Sequence, residues 1–95
     1  MRASRVDNNQ KEVVEILRRA GAVVKHVHTV KNLFDIIVFY NGQIYCVEIK
    51  DGSKPPSSRK LTLGELQCKE DMESVGVKYW VVHSMGEALE MIKQK

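Results

Sequence analysis

Asn41-Gly42, set between two runs of β-formers, constrains this chain more than any other feature. Residues 34–40 (FDIIVFY) and 43–50 (QIYCVEIK) are rich in β-branched and aromatic side chains. An Asn-Gly pair between such runs is the strongest short-range signal for a two-residue type I′ hairpin turn. A two-residue loop fixes the register: Tyr40 pairs with Gln43, Phe39 with Ile44, Val38 with Tyr45, Ile37 with Cys46, Ile36 with Val47, and Asp35 with Glu48. The count therefore predicts two carboxylates directly opposite each other, where Cβ atoms sit about 4.5–5.5 Å apart and like charges repel. Lys50, two residues beyond Glu48, falls on the same face. Ile37, Phe39, Ile44 and Cys46 share that face, Phe34, Ile36, Val38, Tyr45 and Val47 fill the other, and both faces are expected to be buried.

Ionised groups beside an apolar sheet are costly unless they are paired or bind metal. Two arrangements meet that need. Lys50 bridges the two acids, or Asp35 and Glu48 hold a hard divalent cation, magnesium or manganese, through oxygen.

Ninety-five residues make one small domain, 1–95, near the lower end of what buries a self-sufficient core. With 43% hydrophobic and 28% charged residues the composition is that of an ordinary globular protein, and so modest a core makes self-association a reasonable expectation. The net charge of +3 and pI of about 9.0 are mild, so the distribution of charge matters more than its sum. Arg2, Arg5, Lys93 and Lys95 sit at the ends and read as solvated, whereas Lys54, Arg59 and Lys60 cluster with Lys50 around one loop. A basic loop next to the acidic pair suits a phosphate-backbone ligand, which makes Lys54, Arg59 and Lys60 DNA-binding candidates. Cys46 and Cys68 show neither metal-ligand spacing nor a secreted disulfide framework and are expected to be reduced. No signal peptide, membrane span or lipidation motif is visible, so a cytoplasmic protein with no membrane partner is expected. The glycines form no phosphate cradle, which disfavours a nucleotide cofactor.

Asp7 reads as the N-cap of a helix over about 8–20, with Val13, Val14, Ile16 and Leu17 as its apolar stripe and Gly21 at its end. A strand over 22–29 precedes the hairpin. Residues 51–60 (DGSKPPSSRK) form a loop. Thr62 with Glu65 makes a capping box for a helix over about 63–74, packed through Leu66, Met72 and Val75. A strand over 78–83 follows, and Ser84 with Glu87 makes a second capping box for a helix over about 85–93. The order αβββαβα predicts an α/β domain with a mixed four-stranded sheet flanked by helices.

This combination resembles the PD-(D/E)XK nuclease superfamily and its restriction-endonuclease-like fold: an N-terminal helix, an Asp on the second strand, a Glu-x-Lys on the third and a helix after it. More narrowly, DNNQKEVVEILRRAGA, FDIIVFYNG and VEIKDGSKPPSSRKLT look like the small stand-alone VRR-NUC-type nucleases of phages and bacteria. The resemblance implies that Asp35 and Glu48 are metal ligands, with the main-chain carbonyl of Ile49 as a third, for Mg²⁺ or Mn²⁺. It gives Lys50 the task of positioning the attacking water and offsetting charge on the scissile phosphate. By the same resemblance Glu12, or Glu15 one turn later, joins the site from the first helix, and Gln67, or Glu65 in its place, joins from the helix after the Glu-x-Lys strand. It further implies a metal-dependent DNA endonuclease acting on branched or structured DNA as a homodimer, in the manner of junction resolvases that share this fold. Phe34 stands where the family name advertises proline, which removes no ligand.

Two other functions compete: a non-catalytic DNA-binding or assembly module that keeps the fold, and a small binding domain in which Lys50 merely bridges the acids. His26 and His28, two apart on a strand, have a spacing that suits zinc, but no cysteine or third histidine lies near in sequence. His83 reads as a polar strand terminus. Tyr79 and Trp80 read as core and interface rather than as base-stacking platforms.

Overall fold

A computed structural model describes residues 9–93. Its elements follow the expected order: α1 (Gln10–Arg19), β1 (Val23–His26), β2 (Ile36–Tyr40), β3 (Gln43–Ile49), α2 (Leu63–Ser74), β4 (Tyr79–Val82) and α3 (Met85–Lys93), with a single 3₁₀ turn, Pro56–Ser58, in the loop before α2. The sheet order is β1-β2-β3-β4. The first three strands are antiparallel, and β4 joins β3 in parallel through the α2 crossover. This is the mixed four-stranded α/β sheet expected from the sequence. Asp7 and Asn8, the expected cap and start of α1, lie outside the described residues, as do Arg2, Arg5 and Lys95. No helix among the described residues is long and apolar enough to cross a membrane.

The hairpin forms as the turn residues dictate. Asn41 and Gly42 both adopt positive φ, 50° and 79°, as a type I′ turn requires. The register runs from Tyr40↔Gln43 to Ile36↔Val47. It stops one rung short of the predicted Asp35–Glu48 pair. The Asp35 amide turns to the Val47 carbonyl at 3.0 Å, while its own carbonyl accepts from Val27 on the β1 side. Being tied to both neighbours at the point where β1 leaves the sheet, Asp35 ends the ladder instead of extending it. β1 is shorter than expected because the Val30 amide closes a turn onto the Val27 carbonyl, lifting residues 27–34 out as a loop.

Only one sheet face is a full core. Ile36, Val38, Tyr45, Val47, Ile49, Val24 and Val82 meet the buried stripes of α1 (Val13, Val14, Leu17) and α3 (Ala88, Met91, Ile92). The other face, expected to be equally buried, is open at the hairpin end: Val23, Phe39 and Ile44, neighbours in one cross-strand row, remain 51%, 39% and 67% exposed. α2 contacts β4 and buries none of its own residues, so Leu66 and Val75 stand exposed rather than packed. A single helix laid beside β4 is too narrow to cover β1 and β2 as well. Beneath it lies a small second nucleus. Phe34, assigned to the core face by simple alternation, is displaced by the end of the ladder and stacks edge-on against Tyr79.

Candidate active site

Glu48 is the penultimate residue of β3, flanked by β4 and only 4% exposed. Lys50 follows it just past the strand. The Lys50 amide donates to the Val82 carbonyl, and its carbonyl accepts from Asn9 Nδ2 at 2.9 Å, an amide that also donates to the His83 carbonyl. Asn9 thereby ties the start of α1 to the ends of β3 and β4. The Lys50 side chain points back over the acids, with Nζ 3.3 Å from Glu48 Oε2 and 3.0 Å from Glu65 Oε1. Asp35 reaches the same place from the hairpin's other strand, its Oδ2 accepting from the Ile49 amide at 2.7 Å. Asp35, Glu48 and Glu65 line one cavity of about 190 Å³ together with His28 and the 30–34 segment. Gly64 is needed there, since any side chain at that position would run into Asn32.

Glu65 is placed by its own helix. It is the N3 residue of the α2 capping box: its amide donates to Thr62 Oγ1, and its Oε1 accepts from the Thr62 amide at 2.9 Å while also meeting Lys50. Burial pushes the Glu65 carboxyl up, but the Thr62 amide, the Lys50 ammonium and a hydrogen bond from Glu48 outweigh it and hold the group below the usual carboxylate range. Glu48 goes the other way, up to about 9, chiefly through burial and then through the charges of Asp35 and Glu65, with Lys50 opposing. Glu48 therefore keeps a proton and shares it with Glu65. Lys50 stays charged, since the two glutamates overcome the effect of its burial. With Glu48 protonated, the carboxylates of Asp35 and Glu65 stand against the Lys50 ammonium, and Lys31 adds a second cation to the lining of the cavity.

Of the alternatives left open, the structure brings Glu65 to the acids and leaves Gln67 outside. Gln67 is exposed and donates to Asp71 one turn on. Two residues of helix amount to about 200° of rotation, so Glu65 and Gln67 cannot share a face. The same rotation separates Glu12 from buried Gln10 on α1. Glu12 is exposed and lines a different cavity, of about 580 Å³, with Asp51, Arg59 and Glu87, and Glu15 lines a third with His26 and His28. Neither touches the cavity of Asp35 and Glu48. In the basic loop Lys54 and Lys60 are exposed, whereas Arg59 is half-buried, lines the cavity with Glu12, Asp51 and Glu87, and its charge helps to hold the Glu87 carboxyl down. The sequence reading missed His28 and the 30–34 loop as lining. The shortness of β1 was the hidden variable.

A divalent cation fits this donor set. Among the described residues no three His, Cys, Asp or Glu side chains are grouped to hold a metal. The carboxylates on offer are those of Asp35 and Glu48, and magnesium binds in that manner, through one or two carboxylates with water completing its shell.

A solved structure described as a VRR_NUC domain matches this chain with a TM-score of 0.66, over 90% of each chain at 24% sequence identity. The chain has the VRR_NUC fold. Comparison with protein-family models gives no match, and comparison with curated proteins gives none either. On the VRR_NUC fold, Asp35, Glu48 and Lys50 converge at the end of the hairpin where the chain passes from β3 towards α2.

The placement of Glu65 yields a prediction. Glu65→Gln keeps the capping box but removes the charge beside Lys50, so it should change the divalent-ion dependence of thermal unfolding. Gln67→Ala should leave both that dependence and the stability within about 0.5 kcal/mol of the parent. Calorimetry with and without magnesium separates them, and a Gln67→Ala effect as large as that of Glu65→Gln would return Gln67 to the site.

Proposed function

We propose that this protein is a magnesium- or manganese-dependent DNA endonuclease, acting on branched or structured DNA as a homodimer. The observation that carries the reading is a cavity of a VRR_NUC fold lined by Asp35 and Glu48, with the Lys50 ammonium 3.3 Å from Glu48. Asp35 and Glu48, with the Ile49 carbonyl, would hold the cation. When bound it lowers the pKa of water and polarises a phosphoryl oxygen. Lys50 keeps its proton and lies beside Glu48, where an ammonium stabilises the negative charge that develops on the phosphate. Asp35 is oriented by the Ile49 amide, and Glu65, fixed by its capping box, holds Lys50 in place. Two exposed faces, one on the sheet and one on α2, leave room for a second copy, which would present two sites to two strands.

One observation favours a second reading. The Glu48–Lys50–Glu65 network satisfies itself without a cation, as in a non-catalytic DNA-binding module of the same fold. A cleavage panel decides: junction, flap, nicked, single-stranded and linear duplex DNA, each with magnesium, manganese or chelator. The nuclease reading expects cutting of a branched substrate only with metal. No cutting of any substrate would leave the binding module.

A further inference from the structure

His28 belongs to two cavities at once. It lines the cavity of Asp35, Glu48 and Glu65, and it lines a neighbouring one of about 300 Å³ with Gln10, Lys11, Glu15, Arg18 and His26. We propose that this second cavity is a phosphate-binding subsite, taking a further backbone phosphate of the DNA strand whose scissile phosphodiester lies at Glu48 and Lys50. The inference rests on the nuclease reading and extends it to the path of the strand.

Its surface is more apolar than polar, and the charged side chains that line it are mostly basic. Lys11 and Arg18 are cationic, the rings of His26 and His28 offer N–H donors, and one carboxylate, Glu15, stands against them. Arg18 is not adrift: its Nη2 donates to the Val24 carbonyl at 2.9 Å, which holds the guanidinium across from α1 to β1. A guanidinium has five N–H donors, and this bond commits one. Gln10 is buried, and its Nε2 lies 3.4 Å from His28 Nδ1. With the amide as donor, His28 carries its own proton on Nε2 and so keeps an N–H for a ligand. The rings of His26 and His28 meet edge to face at 5.6 Å. Burial, then Arg18 and His28, depress the His26 pKa.

Zinc, the other ligand that the paired histidines bring to mind, fits less well. Gln10 sits against His28 Nδ1, and among the described residues no three ligands are grouped. The large cavity by the 51–60 loop is a poorer phosphate path, because Glu12, Asp51 and Glu87 outnumber Arg59 there.

The test uses Glu48→Gln as background, so that DNA is bound and not cut, and compares it with the same chain carrying Lys11→Gln and Arg18→Gln, or His26→Gln. Anisotropy with a branched oligonucleotide should show the double substitution weakening binding at least tenfold at low salt. The slope of log K against log salt should flatten by about two, close to one per cation removed. In NMR titrations the imidazole signals of His26 and His28 should move with the oligonucleotide, while His26→Gln weakens binding and leaves the fold's spectrum in place. An unchanged salt slope overturns the subsite and spares the nuclease reading. Histidine signals that respond to inorganic phosphate but not to the oligonucleotide overturn it too, since the pocket then takes free phosphate. A background chain that binds no DNA overturns both.

Discussion

Lys50→Ala and Glu48→Ala should each lower magnesium-dependent cleavage of branched DNA by about 10²-fold or more, the scale on which single electrostatic contacts to a developing charge operate. The two substitutions act differently. Glu48→Ala removes a proposed cation ligand, so higher magnesium should recover little. Lys50→Ala leaves Asp35 and Glu48 in place, so metal binding should persist, or tighten, while turnover falls. The structural cost of losing the ammonium is bounded, because Glu48 already keeps a proton shared with Glu65. Circular dichroism should therefore report a folded domain in both variants. Undiminished cutting by either one would remove this cavity from the reaction and leave the fold without its proposed centre.

How much of this was legible beforehand follows the range of the interactions. The Asn41-Gly42 turn is local chemistry, and it placed every rung from Tyr40↔Gln43 to Ile36↔Val47. The Thr62–Glu65 capping box is equally local, and α2 begins at Leu63 as it predicts. At α3 the same signal is half right: Ser84 Oγ caps the Glu87 amide, but the Glu87 carboxylate turns to the His83 amide and ring instead of to Ser84. What the sequence hid depends on third parties. Whether Asp35 extends the ladder is decided by β1 leaving on its other side, and whether Phe39 and Ile44 are buried is decided by where α2 comes to rest. The positions of Glu12 and Gln67 were recoverable. Gln10, Val13, Val14 and Leu17 make the buried stripe of α1, and Glu12 lies across the helix from it. Gln67 is likewise half a turn from the capping-box face that holds Glu65.

Glu48→Gln should raise the thermal stability of the metal-free protein, the opposite of what loss of a buried, paired side chain usually does. In the fold the Glu48 carboxyl titrates at about 9, against an ordinary value of 4.5. The folded chain thus holds a proton that the unfolded chain gives up, and stability falls as pH rises between those two values. Glutamine carries no such penalty and can still donate to Glu65. In chelator the gain should be close to zero at pH 4.5 and grow steadily towards pH 9. By pH 8 it should reach several degrees, since 1 kcal/mol moves Tm by about 4–8 °C in a domain of this size. Magnesium reverses the comparison, because the parent's ionised carboxylate then has its cation and the variant has lost a ligand. Differential scanning calorimetry across pH, with and without magnesium, measures both halves. A gain that does not vary with pH would mean that Glu48 is not the strained acid of this cavity. A gain that magnesium leaves untouched would mean that Asp35 and Glu48 do not hold a cation.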